Sequence, residues 1–157
     1  MIYPAITVWQ PWADGIAAGV KSAEFRYWTP PPRLVGKRIA IHSASRIPPH
    51  RELMALVAAL SGDRTISPGL LKIITNWRDK MIHPGPLGAI VCTAILGEPA
   101  PANRWLRSQG HDPKAIDVDP GLFAWPLSDI RRLDPPIPAK GQQGVWSVDL
   151  DIQEDQS

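Results

Sequence analysis

The stretch Trp9-Gln10-Pro11-Trp12-Ala13, with Gly19-Val20-Lys21-Ser22-Ala23-Glu24-Phe25-Arg26 close behind it, carries more structural instruction than any other part of the 157-residue chain. Before it, Ala5-Ile6-Thr7-Val8-Trp9 is rich in β-formers and reads as a first strand. Pro11 suits the first turn of a helix and Gly19 the position just past its end, so Trp12 to Ala18 is expected to make two helical turns. A second strand is expected from Ser22, with Ala23 and Phe25 alternating with Glu24 and Arg26. That period puts the acid and the base on one face and turns Phe25 toward a core. Lys21 stands at the corner, where strand periodicity does not yet fix its direction. Three charged groups at a helix-to-strand junction are well placed to line the mouth of a cleft.

Working outward, Pro30-Pro31-Pro32 is a stiff extended loop, and Gly36 to His42 is a third strand with Ile39 and Ile41 on one face. Arg51 to Leu60 reads as a helix ended by Ser61-Gly62. Ser67-Pro68 opens another that runs to about Lys80, with Leu70, Leu71, Ile74 and Trp77 as its apolar stripe. His83-Pro84-Gly85-Pro86 is a turn, and Leu87 to Leu96 is apolar on both faces, as a central strand is. Ala102 to Ser108 suits a short helix. Leu122 to Leu127 is strand material, with Pro126 expected at its end or on an edge. Arg131 to Lys140 holds three prolines and reads as a stiff connection. The last strand, Val145 to Leu150, turns Trp146, Val148 and Leu150 inward, and a polar tail follows from Gln153. The sum is a mixed α+β fold: a small barrel of five to six strands with covering helices, one domain over 1–152 carrying a helical insertion at 46–85.

Composition narrows the function classes. Residues 1–110 carry 13 Lys/Arg against 6 Asp/Glu, while residues 111–157 carry 4 against 9. A basic body is compatible with a polyanionic partner, though charge of this size does not require one. Cys92 is the only cysteine. It excludes an intrachain disulfide and a cysteine-based zinc site, and its apolar surroundings make it a core residue. His50, His83 and His111 lie in loops without ligand spacing, so no metal and no cofactor is expected. No apolar run is long enough for a membrane span and no secretion signal is evident, so a cytoplasmic protein without membrane contact is the simplest expectation. Oligomeric state is left open.

The chain resembles the ASCH family, a branch of the PUA-like superfamily. The resemblance rests on Trp9-Gln10-Pro11-Trp12-Ala13, on Gly19-x-Lys21-x-x-Glu24-x-Arg26, and on Ile39-Ala40-Ile41-His42-Ser43-Ala44. It also rests on Pro136-x-Pro138-Ala139-Lys140-Gly141-x-x-Gly144-x-Trp146. It implies a PUA-like β-barrel whose cleft floor includes the lysine–glutamate–arginine motif. The superfamily is associated with RNA binding. Some small bacterial members look like hydrolases of acylated cytidine, and ribonuclease activity has been proposed within the family.

Those implications assign chemistry to residues. In a binding site for RNA or a modified nucleoside or nucleotide, Lys21 is a point charge and Arg26 a planar fork. Glu24 accepts from an exocyclic amine. In a hydrolase acting on N4-acylated cytidine, or in a metal-independent ribonuclease, Lys21 and Glu24 are the catalytic pair. Contact between them would keep the lysine charged and make Glu24 the better base. Trp12, His42, Ser43 and Lys140 complete the candidate binding set, with Trp12 available for base stacking if it faces the cleft rather than the core. Two plainer readings stand beside these: an exposed Glu24–Arg26 ion pair next to a solvated Lys21, and a protein-interaction domain with no nucleic-acid ligand.

Overall fold

A computed structural model describes residues 1–61, 66–79, 85–111 and 118–153. Seven strands lie among them: β1 (Ile2–Val8), β2 (Ala23–Arg26), β3 (Arg38–Ser43), β4 (Ala89–Leu96), β5 (Ala100–Pro101), β6 (Phe123–Pro138) and β7 (Val145–Asp149). Helices α1 (Trp12–Ala17), α2 (His50–Leu60), α3 (Pro68–Asp79) and α4 (Ala102–Ser108) sit between them. The strand order is β2-β6-β4-β3-β1-β7, with β5 paired to β6. β1 and β3 run parallel, and the other pairs are antiparallel.

Hydrogen bonding along this path does not close, so the expected barrel is an open curled sheet. Its interior holds Ile6, Val8, Ile16, Ile41, Leu96 and Trp125, which form one apolar cluster. The gap between β2 and β1 is spanned by a side chain. Arg26 reaches across from β2 and donates from its guanidinium to the Thr7 carbonyl on β1, at 2.6 Å.

One stretch departs from the sequence reading. Residues 131–138 are not a loop but the continuation of β6. β4 advances only from Ile90 to Cys92 while β6 retreats from Ile137 to Arg132, so Pro135 and Pro136 fall where the register slips. A proline there removes no ladder hydrogen bond. Pro126 lies inside β6 rather than at its end. Its carbonyl accepts from Gly97 N–H at 2.8 Å, and the next N–H, of Leu127, goes to Ser22 at 2.8 Å.

α2 and α3 occupy the span between β3 and β4. Leu70 and Ile74 on α3 pack with Val57 on α2 against Trp12 and Val20. A polar node fixes this pair. The Asp14 carboxylate on α1 accepts from the Trp77 indole at 2.6 Å and from the Gln10 side chain at 2.9 Å. Gln10 also donates to the Pro86 carbonyl at 3.0 Å. The expected helix end at Gly62, the end of α3 at Lys80, His83-Pro84 and the tail beyond Gln153 lie outside the described residues.

Cys92 is fully buried and its thiol pKa is pushed up to about 12, chiefly by burial, with the Arg132 charge pulling the other way. The unfolded thiol ionises first, so stability holds up to about pH 9 and falls between there and 12. Native protein should resist alkylation at pH 8 while unfolded protein reacts.

Gly85, at φ +57°, presses against Asp14; a Cβ there would lie 2.1 Å from the carboxylate oxygens. In urea unfolding, Gly85→Ala should cost at least about 2 kcal/mol, and Trp77→Phe, which strips a donor from a largely buried carboxylate, about 1–3 kcal/mol.

Candidate functional site

Lys21 owes its position to the end of α1. Gly19 takes a left-handed φ of +73°, and the chain reverses so that the N–H groups of Val20 and Lys21 both return to the Gly15 carbonyl, at 3.1 and 3.0 Å. Gly15 has no side chain to obstruct that return, since a Cβ would meet Leu70 at 2.8 Å and Lys21 at 3.4 Å. The corner therefore aims Lys21 inward, beneath the helical pair, rather than into solvent.

A cavity of about 580 Å³ opens there. Its walls come from the first residue of α1 and the corner after that helix, from β2, from the end of α2, from α3 and the segment before it, from α4, and from residues in the stretch 118–122. Trp12, Phe25, Tyr27 and Trp105 supply aromatic surface, and Lys21, Glu24, His111 and Asp119 bring titratable groups. Phe25 meets Trp105 edge-on, with ring centroids 5.8 Å apart. Tyr27 donates to Asp119 across the mouth at 3.3 Å.

The Lys21 ammonium donates to the Ala23 carbonyl and lies 5.6 and 5.2 Å from the ring centres of Trp12 and Phe25. Burial pulls its pKa below the ordinary lysine value. The Glu24 charge opposes that shift and the Arg26 charge adds to it. No ion pair joins Glu24 to Lys21 or to Arg26 among the described residues. Glu24 is 9% exposed. Its Oε1 accepts from the Phe25 N–H at 2.8 Å, while Oε2 is buried without a hydrogen-bond partner. Desolvation, not pairing, sets the state of the lysine.

The sequence candidates separate into groups. Trp12, Lys21 and Glu24 line the cavity together. Arg26 does not; its guanidinium turns to Thr7. Glu24 and Arg26 form no ion pair, so the plainer expectation of an exposed pair is not met. His42 is buried elsewhere, edge-on to Trp146, with Nε2 2.9 Å from the Ala139 carbonyl. Burial lowers the His42 pKa, and the bond to Ala139 opposes that. Ser43 is buried as well and exchanges hydrogen bonds with the Ala89 backbone. Lys140 is exposed on the loop before β7.

Phe25, expected in the core, is instead a cavity wall. Trp105, Leu70, Tyr27 and Asp119 went unpredicted. Trp105-Leu106 on an otherwise polar short helix is a visible signal that an apolar surface lies beneath α4.

Residues 6–111 match the family model for the ASCH domain. The chain belongs to the ASCH domain family. Among solved structures it is similar to ASCH from Zymomonas mobilis, at 17% identity and a TM-score of 0.48, over 86% of this chain and 72% of that one. A mutant of the same Zymomonas mobilis protein gives 18% identity and the same TM-score and coverage. No curated protein matches the chain. No helix among the described residues is long and apolar enough to cross a membrane.

Removing the Glu24 charge removes the one influence that holds the Lys21 pKa up. Glu24→Gln should therefore lower it further, read as an earlier titration of the dimethylated Lys21 signal by NMR against the other lysines.

Proposed function

We propose that this ASCH domain binds RNA through a base, or a single nucleoside or nucleotide, held in the cavity between Lys21 and Glu24. The observation that carries this reading is Glu24, which lines an aromatic-walled cavity and whose Oε2 is buried with no protein donor. Such an oxygen is costly to leave alone and is matched by a ligand N–H. A nucleobase brings an exocyclic amine for the carboxylate and a flat ring for Trp12, Phe25 and Trp105. The cavity volume lies within the usual range for small-molecule sites. Lys21 donates to a ring or acyl carbonyl. Arg26 acts behind the site, holding β2 to β1 in what we read as a PUA-like barrel open along one seam.

The state of Lys21 favours a second reading, hydrolysis of an N4-acylated cytidine. Burial lowers the Lys21 pKa and so eases loss of its proton; the deprotonated amine then takes a proton from water as the water oxygen bonds to the acyl carbon. The C–N bond then breaks, and the same proton passes to the leaving amine, giving a free acid and cytidine. Glu24 holds the ring. This inverts the sequence expectation that Glu24 is the base, because the contact that argument required is absent. A ribonuclease receives less support, since the arginine meant to grip the phosphate is turned to a backbone carbonyl.

Glu24→Gln should weaken binding of a cytidine-containing RNA by about tenfold or more in calorimetric titration, the usual loss for a charge-assisted hydrogen bond. Unchanged affinity would remove the cavity from consideration. For the hydrolase, incubation with N4-acetylcytidine should release cytidine, and Lys21→Ala should stop the release. Wild-type protein that leaves this substrate intact would end that second reading.

A further inference from the structure

We infer that Trp9, backed by Arg46, is a second stacking platform that receives the next base of a single-stranded RNA whose first base fills the cavity. The inference rests on the RNA reading of that cavity and extends it from one base to a strand. Trp9 is 58% exposed. It is nevertheless held firmly. Its carbonyl accepts from the N–H groups of Trp12 and Ala13 at 3.0 and 3.2 Å, which anchors it to the first turn of α1. The Arg46 guanidinium lies over the indole, 4.3 Å from the ring centre. Glu52 grips that guanidinium with both carboxylate oxygens, at 2.9 and 3.1 Å.

A carboxylate, a guanidinium and an indole thus stand in sequence, oriented before any ligand arrives. Such preorganisation lowers the ordering cost of stacking. Aromatic faces and arginine planes are the surfaces on which unpaired bases stack, with little regard to sequence. The platform adjoins the cavity: Trp12, a wall of the large cavity, also lines the small hollow of about 80 Å³ bordered by Trp9, Arg46 and Glu52. A base held beside Trp12 therefore leaves its neighbour within the same local surface.

Charge favours a polyanionic strand over an apolar protein segment. Residues 46–52 bring Arg46 and Arg51 against the single Glu52, and the first 110 residues are basic as a whole.

The test is the dependence of affinity on strand length. Oligocytidylate RNAs of one, three and six nucleotides are titrated into wild-type protein, Trp9→Ala, Trp9→Phe and Arg46→Ala. The trimer should bind wild type more tightly than the mononucleotide. Trp9→Ala should cut that trimer-to-monomer ratio about tenfold, and Trp9→Phe should restore most of it. A ratio unchanged in Trp9→Ala would overturn the platform, as would a trimer no tighter than the monomer in wild type. The cavity reading fails separately. If the mononucleotide does not bind but the longer RNAs bind in a Trp9-dependent way, the platform stands without it. Binding of no RNA at any length sinks both.

Discussion

The carboxylate of Asp14 is the constraint on which the candidate site depends. It is raised above the ordinary aspartate pKa by burial, opposed by the Trp77 and Gln10 hydrogen bonds and by the charge of Arg132. Those donors offset part of the desolvation that burial imposes on the carboxylate. Trp77 belongs to α3, Gln10 to the turn before α1, and Pro86 to the approach to β4. One polar group thereby sets how the helical pair lies on α1. The position of Leu70 follows, and Leu70 walls the cavity and packs over Gly15. Apolar burial drives the helices down, but it is nondirectional and would permit several seatings. The hydrogen bonds select among them.

Within the cavity, the same physics separates two groups that sequence spacing seemed to join. Lys21 and Glu24 are three residues apart, yet one closes a helix corner and the other opens a strand. The corner directs the lysine along the aromatic rings, and the strand turns the carboxylate back onto its own backbone. Without a direct ion pair, the Coulombic support that remains is too weak to cancel desolvation of the ammonium. The cavity therefore combines a lysine whose pKa burial has lowered with an under-satisfied carboxylate oxygen. Each is unfavourable alone, and under the proposed nucleobase reading one ligand carrying a donor and an acceptor would relieve both. Strain of this kind is tolerable because the surrounding sheet is well packed.

Most of the fold was legible in the residues. β1, α1, β2, β3 and β4 follow from β-former runs, Pro11, Gly19 and an apolar stretch with no polar face. Of the helical pair, α3 followed from the period of Leu70, Ile74 and Trp77, and α2 from the run Arg51 to Leu60 before Ser61-Gly62. The long β6 was not legible, because Pro135 and Pro136 ordinarily exclude a strand. Only the register slip against β4, a tertiary fact, makes them harmless. Closure of the sheet was misread for a related reason: strand count does not reveal whether the first and last edges meet. Lys21 and Glu24 could be found as a motif, whereas His42 and Ser43 are near neighbours in the motif pattern but point into different packing. A period of two assigns faces, not the object each face meets.

Arg26 shows how a motif residue can matter without lining the cavity. Its guanidinium crosses the open seam and bonds the Thr7 carbonyl, and Thr7 continues the connection through its hydroxyl. That oxygen donates to the Gln142 carbonyl at 3.0 Å and accepts from the Trp146 indole at 3.2 Å. The loop before β7 is thus tied to β1, and β1 to β2. A lysine at position 26 would keep the charge but offer no planar fork, and its shorter reach would loosen β2 at the residue two places from Glu24. The geometric tolerance of a base-reading carboxylate is a few tenths of an ångström. On the proposed reading, Arg26 therefore acts on base recognition through the seat of β2 rather than by contact.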